Sequence, residues 1–176
     1  MRDREPLESA YQGALRRLAR RDHTEAEIRK ALARTHPEAE VEEAVRRLRQ
    51  AGYLDDAGFA ARFARSRLAH QGQGRYRIRQ ALRAKGVAGA PAEKGLAAAL
   101  SEVSEAAAVE ALAQRYWRRR TDDDPRRRLR RVWAALVRRG FPASLVSERV
   151  AALWPRWRDA LAGLEPPETD ETVTEG

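Results

Sequence analysis

Apolar residues recur at helical spacing through most of the chain, and the pattern comes in three rounds. Ile28-Arg29-Lys30-Ala31-Leu32, Ile78-Arg79-Gln80-Ala81-Leu82 and Val132-Trp133-Ala134-Ala135-Leu136 occupy equivalent places roughly fifty residues apart. The second and third rounds also end alike, in Lys85-Gly86-Val87 and Arg139-Gly140-Phe141, whereas the first has Thr35-His36-Pro37 there. Apolar positions at i, i+3 and i+4 predict amphipathic helices, and no segment sustains the alternation of a strand. Repetition of one supersecondary unit predicts a modular molecule in which each unit contacts mainly its neighbours. The fold expected is therefore all-α, a tandem array of three three-helix repeat units forming an elongated, curved rod.

Helix punctuation places the boundaries. A first helix is expected over residues 7–21, with Tyr11, Ala14, Leu15 and Leu18 on one face. Thr24-Glu25-Ala26-Glu27 reads as a capping box opening the second, and Pro37 starts a third that Gly52 stops. Asp55 or Asp56 opens the fourth, carrying Phe59, Ala60 and Phe63; Gln71-Gly72-Gln73-Gly74 follows as a flexible turn. The fifth runs over residues 75–85. A short alanine-rich helix after Pro91 is small enough, around Gly95, to pack loosely. Ser101 or Ser104 opens the seventh, Asp124 and Pro125 sit at the N-cap and first position of the eighth, and Pro142 opens the last. The expected units are residues 7–54, 55–100 and 101–154, after a disordered lead (1–6) and before an acidic flexible tail (155–176).

Charge changes the picture more than composition does. The chain has 176 residues, 43% hydrophobic and 35% charged, with a net charge of +9. Residues 165–176 hold five acids and no bases, so the rest of the chain carries +14. A body this basic attracts polyanions, nucleic acid first. Only three of the basic residues are lysine, a bias that a GC-rich genome also produces. The tail is expected to shield the body from unwanted nucleic acid. Without cysteine, disulfides and thiolate chemistry are excluded. No stretch approaches the ~20 apolar residues of a membrane span, and the first residues lack an apolar signal region, so a cytoplasmic protein is expected.

Two arginine stripes stand out. Arg75, Arg79 and Arg83 lie four apart beside the face formed by Ile78, Ala81 and Leu82. Like charges at that spacing repel, so the stripe makes sense if an anion neutralises it; the alternative is a solvated face whose arginine stems cover the core edge. Arg127, Arg131 and Arg138, flanked by Arg130, repeat the arrangement outside Leu129, Val132, Trp133 and Leu136. Phe59, Phe63, Trp117 and Trp133 have core spacing despite nearby arginines, while Trp154 and Trp157 fit either packing or exposed contact. His23, His36 and His70 are scattered, with no metal-ligand spacing, and no Walker or GxGxxG pattern exists, so no enzymatic site and no cofactor are expected.

Gly52-Tyr53-Leu54-Asp55-Asp56, followed by Phe59-Ala60 and Phe63, resembles the RecX family of bacterial recombinase regulators. The likeness continues through Arg65-Ser66-Arg67, Gly72, Gly74, Arg77-Ile78, Leu82 and Lys85-Gly86-Val87, about a fifth of the chain, and the three-unit plan covers about nine-tenths. It implies a negative regulator that binds the RecA filament on single-stranded DNA and inhibits its ATPase, strand exchange and coprotease activities. The implied partners are the RecA filament and single-stranded DNA, reached directly or through RecA, with no membrane and with the regulator as a monomer. The basic residues of the matched run, Arg65, Arg67, Arg77 and Lys85, become candidate RecA- or DNA-binding positions. The helical wheel adds Arg75, Arg79, Arg83, Arg127, Arg131 and Arg138. A general nucleic-acid-binding helical protein acting without RecA is the competing reading, and an adaptor whose arginines are only compositional is a third.

Overall fold

Helix-forming residues dominate every segment between the glycine and proline stops, and the computed structural model is helical throughout. It describes residues 4–119 and 124–164; side chains are described from Glu8 onward. The helices are α1 (Arg4–Leu18), α2 (Glu25–Leu32), α3 (Glu38–Gln50), α4 (Asp56–Gln71), α5 (Arg75–Ala84), α6 (Gly89–Glu102), α7 (Glu105–Arg119), α8 (Pro125–Val137) and α9 (Ala143–Leu153), then a 3-10 helix at Pro155–Leu161. α1 opens at Arg4, inside the expected lead, and α6 begins before Pro91. The 3-10 helix occupies part of the expected tail; the acidic stretch 165–176 and the acids at 122 and 123 lie outside the described residues. No helix among the described residues is long and apolar enough to cross a membrane.

The chain forms two compact units. The first comprises residues 4–65 with 79–99; the second comprises 66–78, 100–119 and 124–164. α4 and α5 each contribute one portion to either unit. In the first unit α1 packs along α3, and Ala10, Ala14, Ile28, Leu32, Val45 and Leu48 join one buried cluster. Each buried isoleucine, leucine or valine of the cluster contributes about 1.5–3 kcal/mol. Gly95 corrects the expectation of a loose α6. A Cβ there would lie 2.5 Å from the Ala60 Cβ and 2.6 Å from the Ala57 carbonyl, so the glycine lets α6 close tightly on α4.

In the second unit α7, α8, α9 and the 3-10 helix pack on one another around Val109, Leu129, Val132, Leu136 and Val150. Trp133 is buried and donates its indole N–H to Ser147 Oγ at 2.9 Å. Trp154 and Trp157 stack on Trp117, with centroids 4.7 and 5.5 Å apart, and the Arg128 guanidinium lies 4.4 Å from the Trp117 ring. The two C-terminal tryptophans thus pack, which the sequence left open. Ile28 and Leu32, Ile78 and Leu82, Val132 and Leu136 are all buried, as the repeat requires.

Candidate anion interface and the repeat joints

The residues that end α5 and α8 form two joints. In the first unit, Thr24 is fully buried and bridges two groups: its Oγ accepts the Glu27 N–H at 3.1 Å, capping α2, and donates to the Lys85 carbonyl at 2.8 Å. The Asp56 carboxylate, from the first turn of α4, accepts the Glu25 N–H at 3.0 Å. Glu27 is not the returning arm of a capping box. It takes the Lys85 ammonium at 3.0 Å, Arg21 at 3.0 Å and His23 Nδ1 at 3.1 Å. Burial opposes ionisation of Glu27, but Lys85 and Arg21 outweigh it and hold the carboxyl at about 2. Burial, aided by Arg21, pushes His23 down from its ordinary value. Burial pushes Asp56 up, against its bond to the Glu25 N–H.

The second unit repeats this geometry with other atoms. The Gly74 N–H donates to the Arg139 carbonyl at 2.9 Å, and the Tyr76 N–H to the Gly140 carbonyl at 3.0 Å. The first acid of α7, Glu105, accepts the Arg75 N–H at 2.9 Å and Arg75 Nε at 2.7 Å, with its side chain 3% exposed. The Arg139 guanidinium donates to the Gln71 and Gly72 carbonyls at 2.7 and 3.0 Å and also reaches the Tyr116 hydroxyl. Arg139 thus clamps the segment expected to be a flexible turn. Gly86 and Gly140 adopt φ of +79° and +86°, ending α5 and α8 in the left-handed turn that returns Val87 N–H to Leu82 and Phe141 N–H to Leu136.

These joints sort the candidate basic residues. Lys85 is committed to Glu27 and lies 5.9 Å from the Phe59 ring centroid. Arg75 is held by Glu105. Arg79 is held bidentately by Glu93, at 2.6 and 2.9 Å. Carboxylates of the chain itself therefore neutralise two of the three arginines in the α5 stripe, in place of the external anion that the spacing suggested. Arg65 is half-buried, and Arg67 bonds Gln71 Oε1 at 2.7 Å. Arg77, Arg83, Arg127, Arg130 and Arg138 are exposed and make no ion pair among the described residues. At 100° per residue Arg127, Arg130 and Arg131 share the outer side of α8, with Arg138 following at its end. The backbone of Arg77 lies against the end of α8, since a Cβ on Gly140 would lie 2.4 Å from its nitrogen. Arg79, Arg83, Arg65 and Lys85 belong to the first unit.

The charge balance of the described residues differs accordingly between the units. The described residues of the first unit hold seventeen basic and twelve acidic side chains; those of the second hold sixteen and six. In the first, Arg29 pairs with Glu42 and Glu25, Arg49 with Glu25, Arg46 and Arg47 with Glu43, and Arg62 with Asp22. Isolated exposed pairs contribute ~0–1 kcal/mol each; their larger effect is to remove positive potential from that surface. Among the described residues of the second unit the positive excess remains, chiefly on α8.

Comparison with known proteins places this arrangement. Family models for RecX match three times in order: the first three-helix domain at residues 10–48, the second at 55–96 and the third at 104–148. The chain belongs to the RecX family. It is 39% identical to the regulatory protein RecX of Halorhodospira halophila over 146 residues, 82% of this chain and 88% of that one. To the regulatory protein RecX of Chromohalobacter salexigens it is 36% identical, over 82% and 93%. Among solved structures, a regulatory protein RecX aligns with a TM-score of 0.72 at 29% identity, covering 83% of this chain and 73% of the other. RecX from Lactobacillus salivarius aligns with a TM-score of 0.79 at 20% identity, over 85% and 97%, a likeness of fold. The joints described above connect consecutive RecX domains. Sequence reasoning missed Glu105, Asp56, Glu27 and Arg139 as their members. The signal that could have found them was the repeat, because Asp56 and Glu105, like Lys85 and Arg139, stand at corresponding places.

Proposed function

We propose that this chain is a negative regulator of the RecA recombinase. It binds the RecA filament on single-stranded DNA and lowers its ATPase, strand exchange and coprotease activities, by binding rather than by catalysis of its own. It acts as a monomer in the cytoplasm, using three units over residues 7–54, 55–100 and 101–154. The observation that carries this reading is the ordered match of all three RecX domains. The described residues support an anionic target: those of the second unit hold sixteen basic and six acidic side chains, with most of the α8 arginines exposed. Arg77, Arg127, Arg131 and Arg138 are its anion-facing residues, directed at phosphates or at acidic side chains of the filament. Arg75, Arg79 and Lys85 serve the fold instead.

The test is RecA ATPase on single-stranded DNA with substoichiometric amounts of this protein. Inhibition is expected; unchanged turnover at saturating protein overturns the reading. Replacing Arg127, Arg131 and Arg138 together with glutamate should weaken filament binding and, if all three meet phosphates of a single strand, flatten the slope of log K against log salt by about 2. Equal affinity for bare DNA and for the filament would favour the general nucleic-acid binder.

A further inference from the structure

The motif Gly52-Tyr53-Leu54-Asp55-Asp56 has one member with no work in the fold. Gly52, at φ +75°, makes the turn that ends α3. Leu54 is buried, Asp55 caps α4 by accepting the Gly58 N–H at 2.9 Å, and Asp56 caps α2. Among the described residues Tyr53 donates only its backbone N–H, to Leu48, and its side chain is 56% exposed. It stands on the wall of a cleft of about 550 Å³ in the first unit. Leu15, Leu18 and Phe59 make the apolar lining, and Asp22, Asp55 and Arg62 the polar one. An exposed tyrosine beside half-buried leucines is a surface type that anchors protein contacts, because a ring contributes much apolar area with few rotors to freeze.

The charge of this cleft runs against the charge of the chain. Arg62 pairs with Asp22 at 2.7 Å, and Asp55 makes no ion pair among the described residues. Arg21 and Lys85 are turned to Glu27. His23, depressed by burial, adds no positive charge at neutral pH. Two carboxylates therefore face one guanidinium across an apolar floor, in a protein of net charge +9. Such a lining suits a cation carried next to an apolar group.

We propose that this cleft docks a protein segment presenting an apolar side chain next to a lysine or arginine. Given the function proposed above, on which this assignment rests, that segment belongs to a RecA subunit of the filament. The first unit would then hold protein while the arginines of α8 face the anion.

Because the chain has no cysteine, Tyr53→Cys gives a unique attachment point for a photo-crosslinker. On RecA filaments the adduct is expected on RecA. Tyr53→Ala should weaken filament binding about tenfold and Asp55→Asn about threefold, the latter retaining an oxygen for the Gly58 N–H. Affinity for bare single-stranded DNA and the thermal midpoint should stay unchanged in both. Cross-linking only to DNA or to a second copy of this chain, or filament affinity unmoved by both substitutions, overturns the proposal. Wild-type protein that binds no filament overturns the parent reading and this partner with it, whereas wild-type binding that both variants retain overturns the cleft alone.

Discussion

The two joints do the same job with different atoms. Where the first has Thr24, whose hydroxyl spans the gap between α2 and the end of α5, the second has Gly74, whose backbone touches the end of α8 directly. A Cβ on Gly74 would lie 2.3 Å from the Gly140 carbonyl and the Phe141 nitrogen. The side chains differ in the same sense. Lys85 crosses the first joint to a carboxylate, while its counterpart Arg139 crosses the second to two main-chain carbonyls. A side-chain bridge tolerates small shifts and depends on ionisation. A backbone bridge tolerates little and depends on the absence of a side chain.

That contrast sets the order of damage. Gly74→Ala should cost about 3 kcal/mol, because both colliding groups are main chain and α5 must move away from α8. In a protein of this size it corresponds to a fall in thermal midpoint of roughly 6–12 °C. All four tryptophans lie in the second unit, so their fluorescence reports that lesion directly. Thr24→Ala removes a cap and a buried donor without a clash and should cost ~1–2 kcal/mol, read by circular dichroism. A Gly74→Ala protein as stable as the Thr24→Ala one would erase the distinction between the joints.

The acids at the joints should separate next. Glu105→Gln keeps one acceptor for the Arg75 N–H but leaves the guanidinium facing a neutral group; with Arg75 able to reach water, a loss of ~2 kcal/mol is expected. Asp56→Asn should change stability by no more than ~0.5 kcal/mol. Burial already disfavours the ionised Asp56 carboxyl, and asparagine still accepts the Glu25 N–H. Urea unfolding of the two variants measures the difference, and equal losses would mean that the caps, rather than the charges, set the energy.

What could be read from the chain was what is local. The buried faces followed from spacing, and Thr24, Ser104 and Asp124 cap their helices through the amides of Glu27, Ala107 and Arg126. The carboxylates that hold Lys85, Arg75 and Arg79 could not be read this way. Glu27 is 58 residues from Lys85 and Glu105 is 30 from Arg75. A helical wheel shows which way a guanidinium faces and says nothing of what another helix brings to meet it. The α5 stripe therefore gave no hint that Arg75 and Arg79 meet carboxylates of the chain itself. Gly95 misled for a related reason: a small residue specifies how close two helices can come, and only the neighbour decides whether they do.

Acid offers the gentlest probe of the first joint. Glu27 is held at about 2, against an ordinary 4.5, by Lys85 and Arg21 despite its burial. A carboxyl depressed in the folded state contributes stability that is complete above pH 4.5 and is lost as the pH falls toward 2. His23 acts in the same direction at higher pH: its depressed value makes protonation easier in the unfolded chain, so stability declines as the pH drops below 6.5. Glu27→Gln should therefore cost ~1–2 kcal/mol at pH 7, and this gap should close between pH 4.5 and 2 in urea unfolding followed by circular dichroism. The Arg139 clamp has main-chain carbonyls of Gln71 and Gly72 as its acceptors and no carboxylate. A Glu27→Gln gap that stays constant with pH would show that the glutamate contributes through packing, and the first joint would then be as indifferent to its ionisation as the Arg139 clamp.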